Sequence, residues 1–310
     1  MPAPIAFFAY NRPFHTKQTL EALALCEGAQ DSEVFFFCDG PRPNETDEGI
    51  SAIEEVRALI QAQTWPKAVH LHFQTKNIGL AASITGGLSH VLEAADRVIV
   101  VEDDLVVGKG FLTYLNVALE HYKNEERVMH IAAYIPPIDP AELPTLYFYG
   151  QASCWGWATW KRAWKAYNGD ARMLKAKIEE RGMVDAFNID NSYNFMRHLE
   201  KNIDGKLNTW AIKWQASVIL SGGLCLHPSR SLVRNIGADG TGAHMKKEEA
   251  EGMRGNITDQ VELNFPKTLT ENTTARGRIA AHYRSERKRL EVKPPTLAKR
   301  IQNRIKNLLS

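Results

Sequence analysis

The feature that most restricts the fold is an alternation running through the first hundred residues. Ile5 to Tyr10 is a short apolar run, broken at Arg12-Pro13, after which Thr16 to Leu25 carries apolar residues at helical spacing. Val34 to Cys38 is a second apolar run that stops at Asp39-Gly40-Pro41, and Ile50 to Gln63 returns to the helical spacing. Val69 to Phe73 alternates as a strand does, Ala81 to Ala94 reads as a helix, and Arg97 to Val101 is apolar again. Near-continuous apolar strands separated by amphipathic helices require a sheet covered on both sides. The expected fold is α/β: an open, mostly parallel, Rossmann-like sheet with helices on both faces. Ligands of such sheets bind beyond the carboxyl ends of the strands. Asn11-Arg12, Asp39-Gly40 and Glu102-Asp103-Asp104 all fall at such ends.

The second half is less regular. Phe111 to Tyr122 is helical, a Pro-rich stretch follows, and aromatic residues crowd the segment from Tyr147 to Trp164. Helical patterns recur at Met173–Arg181 and Trp210–Leu220. Leu224 to Pro228 reads as a late strand, and a Gly-rich loop spans Asn235 to His244.

With 44% hydrophobic and 24% charged residues the 310-residue chain has an ordinary globular composition, and a packed core is expected. The net charge of +2 hides an uneven distribution, because basic residues dominate from Arg276 onward. Cys26, Cys38, Cys154 and Cys225 show no metal-ligand spacing and read as buried free thiols of a reducing compartment. No charged region precedes Ile5 as a signal peptide requires, and no apolar stretch approaches the roughly 20 residues of a membrane span. A cytoplasmic location is expected.

The chemistry concentrates where Val98 to Val101 runs into Glu102-Asp103-Asp104. Three adjacent carboxylates repel one another and need a counter-cation. Hard oxygen donors suit Mg²⁺ or Mn²⁺ with positions left for phosphate oxygens, whereas the bland reading is an exposed acidic turn. Val100 to Leu105, followed by Phe111 and Tyr114, resembles the metal-binding segment of GT-A glycosyltransferases. The nearest pattern is that of Golgi N-acetylglucosaminyltransferases with a Glu-Asp-Asp motif. The resemblance implies a GT-A fold, Asp104 as metal ligand, and Glu102 and Asp103 on the donor's sugar or ribose. It also implies that Ala9-Tyr10-Asn11-Arg12-Pro13 forms the nucleotide loop of the first strand and that Asp39 holds the base. Asn77 to Ala81 then precedes the donor-contacting helix. Trp155 to Trp160 and the segment from Asn235 to His244 are similar to parts of bacterial polysaccharide transferases.

Several residues keep two readings. Trp155 and Trp157 present indole faces that suit a sugar ring, yet Trp157, Trp160 and Trp164 also have the spacing of a packed helix start. His244 either completes the metal shell, as a late His does in many GT-A enzymes, or is solvated. Arg230 and Arg234 face a diphosphate or are surface charges. An inverting transferase needs a carboxylate base, and the family's position for it, at the start of the helix near Thr209–Trp214, holds Ala211. Asp204 and Asp190 are the nearest upstream candidates, with Glu200 behind them, and a retaining enzyme would need none. Residues 296–309 place Leu297, Ile301, Ile305 and Leu308 on one stripe among basic residues, as in a helix lying on an anionic membrane or docked on a partner. No nucleic-acid motif accompanies the charge.

The expected organisation is therefore a nucleotide-sugar-binding half at 1–125, an acceptor-binding half at 126–275 and a basic amphipathic tail at 276–310. The expected activity is metal-dependent transfer of a sugar, N-acetylglucosamine by resemblance, from a UDP-sugar to a saccharide or lipid-linked saccharide acceptor of bacterial surface polysaccharide. The tail would make it peripheral on the inner face of the plasma membrane. Competing expectations are a nucleotidyltransferase, which usually carries a Gly-rich basic loop after its first strand, and a carbohydrate-binding protein that has lost its base.

Overall fold

The computed structural model describes residues 1–237, 239, 252–253 and 255–291. Its centre is a sheet in which β1 (Ile5–Ala9), β2 (Glu33–Cys38), β3 (Ala68–Phe73), β4 (Arg97–Glu102), β6 (Val128–Ala132) and β9 (Leu224–Pro228) run one way. Two strands oppose them. β8 (Trp157–Trp160) separates β4 from β6, and β7 (Leu146–Tyr149) closes the edge beside β9. The order is β3-β2-β1-β4-β8-β6-β9-β7. The expected α/β, mostly parallel sheet is what the chain adopts.

Strand residues alternate between two cores because successive side chains leave a strand on opposite faces. Ile5 and Phe7 of β1 join Val34, Phe36, Ile99 and Val101 on one face, covered by α1 (Pro13–Ala24), α2 (Asp47–Gln61) and α4 (Phe111–His121). Ala6 and Phe8 join Phe37, Val98 and Val100 on the other face, under α3 (Leu80–Ala94), α5 (Lys161–Trp164) and α9 (Ala211–Leu220). The α3 backbone comes close because it carries Gly87, where a Cβ would meet the Phe8 ring at 2.6 Å.

A smaller helical lobe of α6 (Ala171–Glu180), α7 (Val184–Phe187) and α8 (Met196–Ile203) packs on α9 through Leu174, Ile178, Phe187 and Leu199. A two-stranded ribbon joins β5 (Leu105–Val107) to β10 (Val233–Asn235), antiparallel. The last described helix, α10 (Thr273–Glu291), lays Ala275, Ile279, Ala280 and Tyr283 against Tyr147 and Tyr149 of β7. The start of the expected basic tail is thus a docked helix, whereas the amphipathic segment 296–309 lies outside the described residues. Among the described residues no helix is long and apolar enough to cross a membrane.

The aromatic segment departs from its expected helical start. Trp157 to Trp160 is a strand paired with both β4 and β6. Trp157 therefore enters the core beneath α3 and α9, while Trp160 enters the opposite one. Residues three apart on a strand point to opposite faces, and here both faces are buried. Trp157 is 0% exposed and stacks on Trp210 at 5.4 Å and on His130 at 4.9 Å. Its expected contact with a sugar is corrected accordingly, because this indole has no surface to offer a ligand. Trp157→Ala is expected to lower unfolding free energy by about 3–5 kcal/mol, read from urea denaturation. A loss below ~1 kcal/mol would contradict its place in the core.

Candidate functional site at the β1–β4 switch point

In the order β3-β2-β1-β4 the chain first builds outward from β1 on one side and then returns to its other side. The crevice where an open α/β sheet reverses direction is where it accepts ligands. Residue 8 of β1 lies opposite Glu102 in the β4 register, so the turns after both strands meet above this crevice. One contributes Tyr10-Asn11-Arg12 and the other Asp103-Asp104.

Arg12 joins the two. Its Nη2 lies 2.7 Å from Asp103 Oδ1 and 2.8 Å from Asp104 Oδ2. Asp103 is 5% exposed, and its second oxygen accepts from the Tyr10 backbone N–H at 3.3 Å. The Asp103 carbonyl accepts from the Thr19 hydroxyl of α1 at 2.8 Å, tying that helix to the end of β4. On its far side Asp104 accepts from Asn235 Nδ2 at 3.3 Å, and its carbonyl accepts from the Ile236 N–H at 2.8 Å. The β10 segment therefore delivers Gly237 against the ion pair, and an added Cβ there would stand 2.6 Å from Arg12 Nη1. A side chain there would have to push the Asp104 carboxylate and the Arg12 guanidinium aside. Close by, the His15 ring on α1 sits 3.1 Å from Asp239.

Burial raises the pKa of Glu102, and the charges of Asp104 and Asp103 raise it further. Asp103 is raised by burial too, with Arg12 pulling the other way. The charge of Arg12 pulls Glu102 back only in part, and among the described residues Glu102 makes no ion pair. The folded state therefore holds a proton there above the ordinary carboxyl range, and stability falls as pH rises from that range toward the folded pKa.

Two neighbouring groups frame the crevice. Just before β8, beyond the left-handed Gly156, Trp155 packs edge-on to Tyr134 at 4.5 Å. It is half-buried, and so keeps the exposed surface that Trp157 lacks. On the β2 side, Asp39 is 5% exposed, and both oxygens are engaged by backbone. One accepts from the N–H groups of Gly40 at 2.8 Å and Ile78 at 2.9 Å, the other from Gly79 at 2.9 Å. Asn77 Nδ2 donates to the Gly40 carbonyl at 3.1 Å. These bonds lock the turn after β2 to the turn before α3, where Gly79 has φ +82°. The carboxylate expected to hold a base is spent on organising this loop. The remaining first-strand residues line the same edge. Ala9 is buried at the end of β1, Asn11 is half-buried, and the Tyr10 hydroxyl donates to Glu45 beneath the Arg42 guanidinium, 5.5 Å from its ring.

The two candidate bases have partners elsewhere. Asp204, exposed at the end of α8, pairs with Lys206 at 2.8 Å. Asp190 is clamped by Arg276 of α10 at 3.0 Å, and that hydrogen bond holds its pKa down. It sits in a run of three left-handed residues, Ile189, Asp190 and Asn191, a costly backbone for side chains with a Cβ. Glu200 lies 3.9 Å from Lys175. None of these contacts reaches the Arg12 site. Arg230 and Arg234 are exposed. His244 lies outside the described residues.

The sequence reading missed a set of buried polar side chains that hold the strand approach to Trp155. His130 accepts from Trp214 Nε1 at 3.1 Å, so its Nε2 donates to the Ser153 carbonyl at 2.9 Å. His227 Nε2 meets the Gln151 carbonyl at 2.8 Å, and Gln215 bridges Gly150 and Ala152. Burial pushes both imidazoles down, His130 to about 3 and His227 to about 4. The only signal for them was a histidine in each of two apolar strands.

Chemically, two carboxylate oxygens converge on one cation position, and a guanidinium nitrogen occupies it. Hard oxygens converging on a point suit a divalent ion. Among the described residues, however, no three His, Cys, Asp or Glu side chains are grouped to hold one. The counter-cation that the sequence argument demanded is supplied by Arg12.

No family model and no curated protein matches this chain. Solved structures similar to it include a UDP-glucose pyrophosphorylase complexed with UDP-glucose, at 10% identity and TM-score 0.35, covering 73% of this chain and 90% of that one. Mouse xyloside xylosyltransferase 1 is 9% identical with TM-score 0.37, over 71% and 81%. A cytidylyltransferase from Leptospira borgpetersenii is 10% identical with TM-score 0.32, over 53% of this chain and 63% of its own length, under two thirds of it. Likeness at this level carries no argument about activity, and the chemistry rests on the site.

Glu102→Gln removes the unpaired ionisation from this cluster. One pKa unit is worth ~1.4 kcal/mol, so the variant is expected to be at least about 1 kcal/mol more stable than the parent at pH 8 and equal to it near pH 4. Denaturation across that range checks the sign. A variant less stable at pH 8 would show that the charged form of Glu102 is favoured in the fold.

Proposed function

We propose that this chain is a nucleotide-sugar-dependent glycosyltransferase, with the β1–β4 crevice as its donor site. The observation that carries the reading is the convergence of Asp103 and Asp104 on a single cation position at the sheet's reversal point. A diphosphate leaving group needs positive charge where its own charge builds. The crevice provides a guanidinium and a carboxylate pair suited to a hard ion, beside a loop held still by Asp39 and opening into α3.

Each residue has a role in this reading. Asp104 would hold Mn²⁺ or Mg²⁺, joined by His244, whose segment departs from Gly237. Bound there, the ion supplies Lewis-acid neutralisation of the departing diphosphate. Glu102 and Asp103 face the donor's sugar or ribose. Tyr10 and Asn11 line the nucleotide's path over the end of β1, and Asp39 and Asn77 fix the loop on which it rests. Trp155, half-buried just before β8, offers its indole face to a sugar ring. Asp204 and Asp190 remain the candidates for the base, and Asp190 would have to leave Arg276 to serve.

The connection after β1 argues against nucleotidyl transfer. Only Tyr10, Asn11 and Arg12 separate β1 from α1, and no glycine-rich turn lies there to wrap a triphosphate. UDP-N-acetylglucosamine is the first donor to test, with a saccharide or lipid-linked saccharide as acceptor. In this reading residues 1–125 bind the donor, 126–275 the acceptor, and 296–309 contact an anionic membrane surface.

Incubation with UDP-sugars and Mn²⁺ is expected to release UDP, with about 100-fold less from Asp104→Ala. Pyrophosphate from UTP and a sugar phosphate would instead identify a nucleotidyltransferase. Donor binding with no turnover would identify a binding protein. Donor binding retained in Asp204→Asn or Asp190→Asn, with turnover lost, is expected for whichever carboxylate takes the acceptor proton.

A further inference from the structure

Arg12 is an unusual structural arginine. A guanidinium carries five N–H donors, and a purely structural one buried in a site uses them. Arg12 spends Nη2 on both aspartates, while its Nη1 is buried and has no hydrogen-bond partner among the described residues. Its backbone is fixed separately. The Arg12 carbonyl accepts from both the N–H and the hydroxyl of Thr16, each at 2.9 Å, and Pro13 begins α1 immediately after it. The side chain can therefore leave the aspartates without disturbing either the end of β1 or the start of α1. What Arg12 occupies is the point on which Asp103 and Asp104 converge, and two cations cannot share it.

We propose that Arg12 is an internal placeholder cation: guanidinium and divalent ion are alternative occupants of the Asp103–Asp104 position, and the ion enters only as Arg12 swings off Asp104. The unpartnered Nη1 gives the displaced side chain a destination. It is a ready donor for an oxyanion, and a diphosphate arriving with the ion provides one. The free protein then binds the metal alone more weakly than a protein without the guanidinium would, and ion and diphosphate bind with positive coupling. This rests on the transferase reading only for the identity of the oxyanion; the exchange itself concerns the metal and this chain.

The probe is Mn²⁺ alone, without nucleotide, titrated into the full chain and followed by the electron paramagnetic resonance signal of the free ion. Arg12→Met is expected to bind Mn²⁺ about tenfold more tightly than the parent, or better. Adding Asp104→Asn should remove that gain. Unchanged or weaker binding by Arg12→Met overturns the proposal, as does a gain that survives Asp104→Asn.

Unpairing buried aspartates costs stability, so a second measurement uses the unaltered protein. Its Arg12 side-chain ¹⁵N signal, assigned by its absence from Arg12→Lys, is followed during Mg²⁺ titration. Loss of the hydrogen-bonded signal as Mg²⁺ saturates supports the exchange, and a signal that persists at saturation overturns it. UDP-sugar binding by the parent is scored apart from both. If the parent binds UDP-sugars while Arg12→Met gains nothing, only the placeholder idea falls; if Arg12→Met gains while no UDP-sugar binds, the transferase reading falls alone.

Discussion

Charge balance at the end of β4 governs this structure. The chain drives an apolar strand directly into three acidic residues and then buries Asp103 against α1, where an isolated carboxylate is costly. Arg12 resolves that cost from the neighbouring strand, 91 residues earlier in the chain. The ion pair needs β1 and β4 side by side with their carboxyl ends level, and the parallel register gives that alignment. It needs Thr19 to bring α1 down onto Asp103, and it needs Gly237 to let the returning ribbon pass over the pair. The sheet's reversal, the first helix and the β5–β10 ribbon thus meet at one contact between one cation and two anions.

A pair of this kind is a weak source of net stability, because desolvation consumes most of the Coulombic gain. Its value is in position. Glu102 beside it is a carboxyl whose charged form the fold disfavours, through burial and the neighbouring charges of Asp104 and Asp103. Natural folds concentrate such conflicts at their sites and offset them elsewhere. Here the offset is the two-sided core, where Phe7, Phe36, Trp157 and Trp214 are fully buried.

How much could be read in advance follows from what each element buries. The first four strands and their helices were legible because parallel strands covered on both faces are nearly all apolar, and their connecting helices carry one apolar stripe. The second half was not. β8 is four residues long and aromatic at both ends, so its spacing imitates a helix, and only its place between β4 and β6 shows it to be a strand. β7 is as short, and the histidine inside the five-residue β6 disguises a buried strand as a mixed segment. At the site, the acidic triplet and its location were legible, as was the need for a cation. The source of that cation was not, because pairing across 91 residues leaves no periodic trace. Asp39 was legible but its partners were not, since sequence gives a carboxylate's position and not the backbone N–H groups waiting for it.

The buried histidines show why the second half is built as it is. The segment from Gly150 to Ser153, which leads to Trp155, turns its carbonyls toward polar side chains of the core. A buried backbone carbonyl without a donor is expensive. His130, His227 and Gln215 come from β6, β9 and α9, and each gives a donor to that segment. Trp214 then fixes the His130 tautomer so that the right nitrogen faces Ser153. An apolar residue at any of these positions would pack as well but leave a carbonyl stranded. The polar groups in this core therefore belong to the crevice, one layer removed: they hold the segment that carries Trp155, as Asp39 holds the loop on the other side.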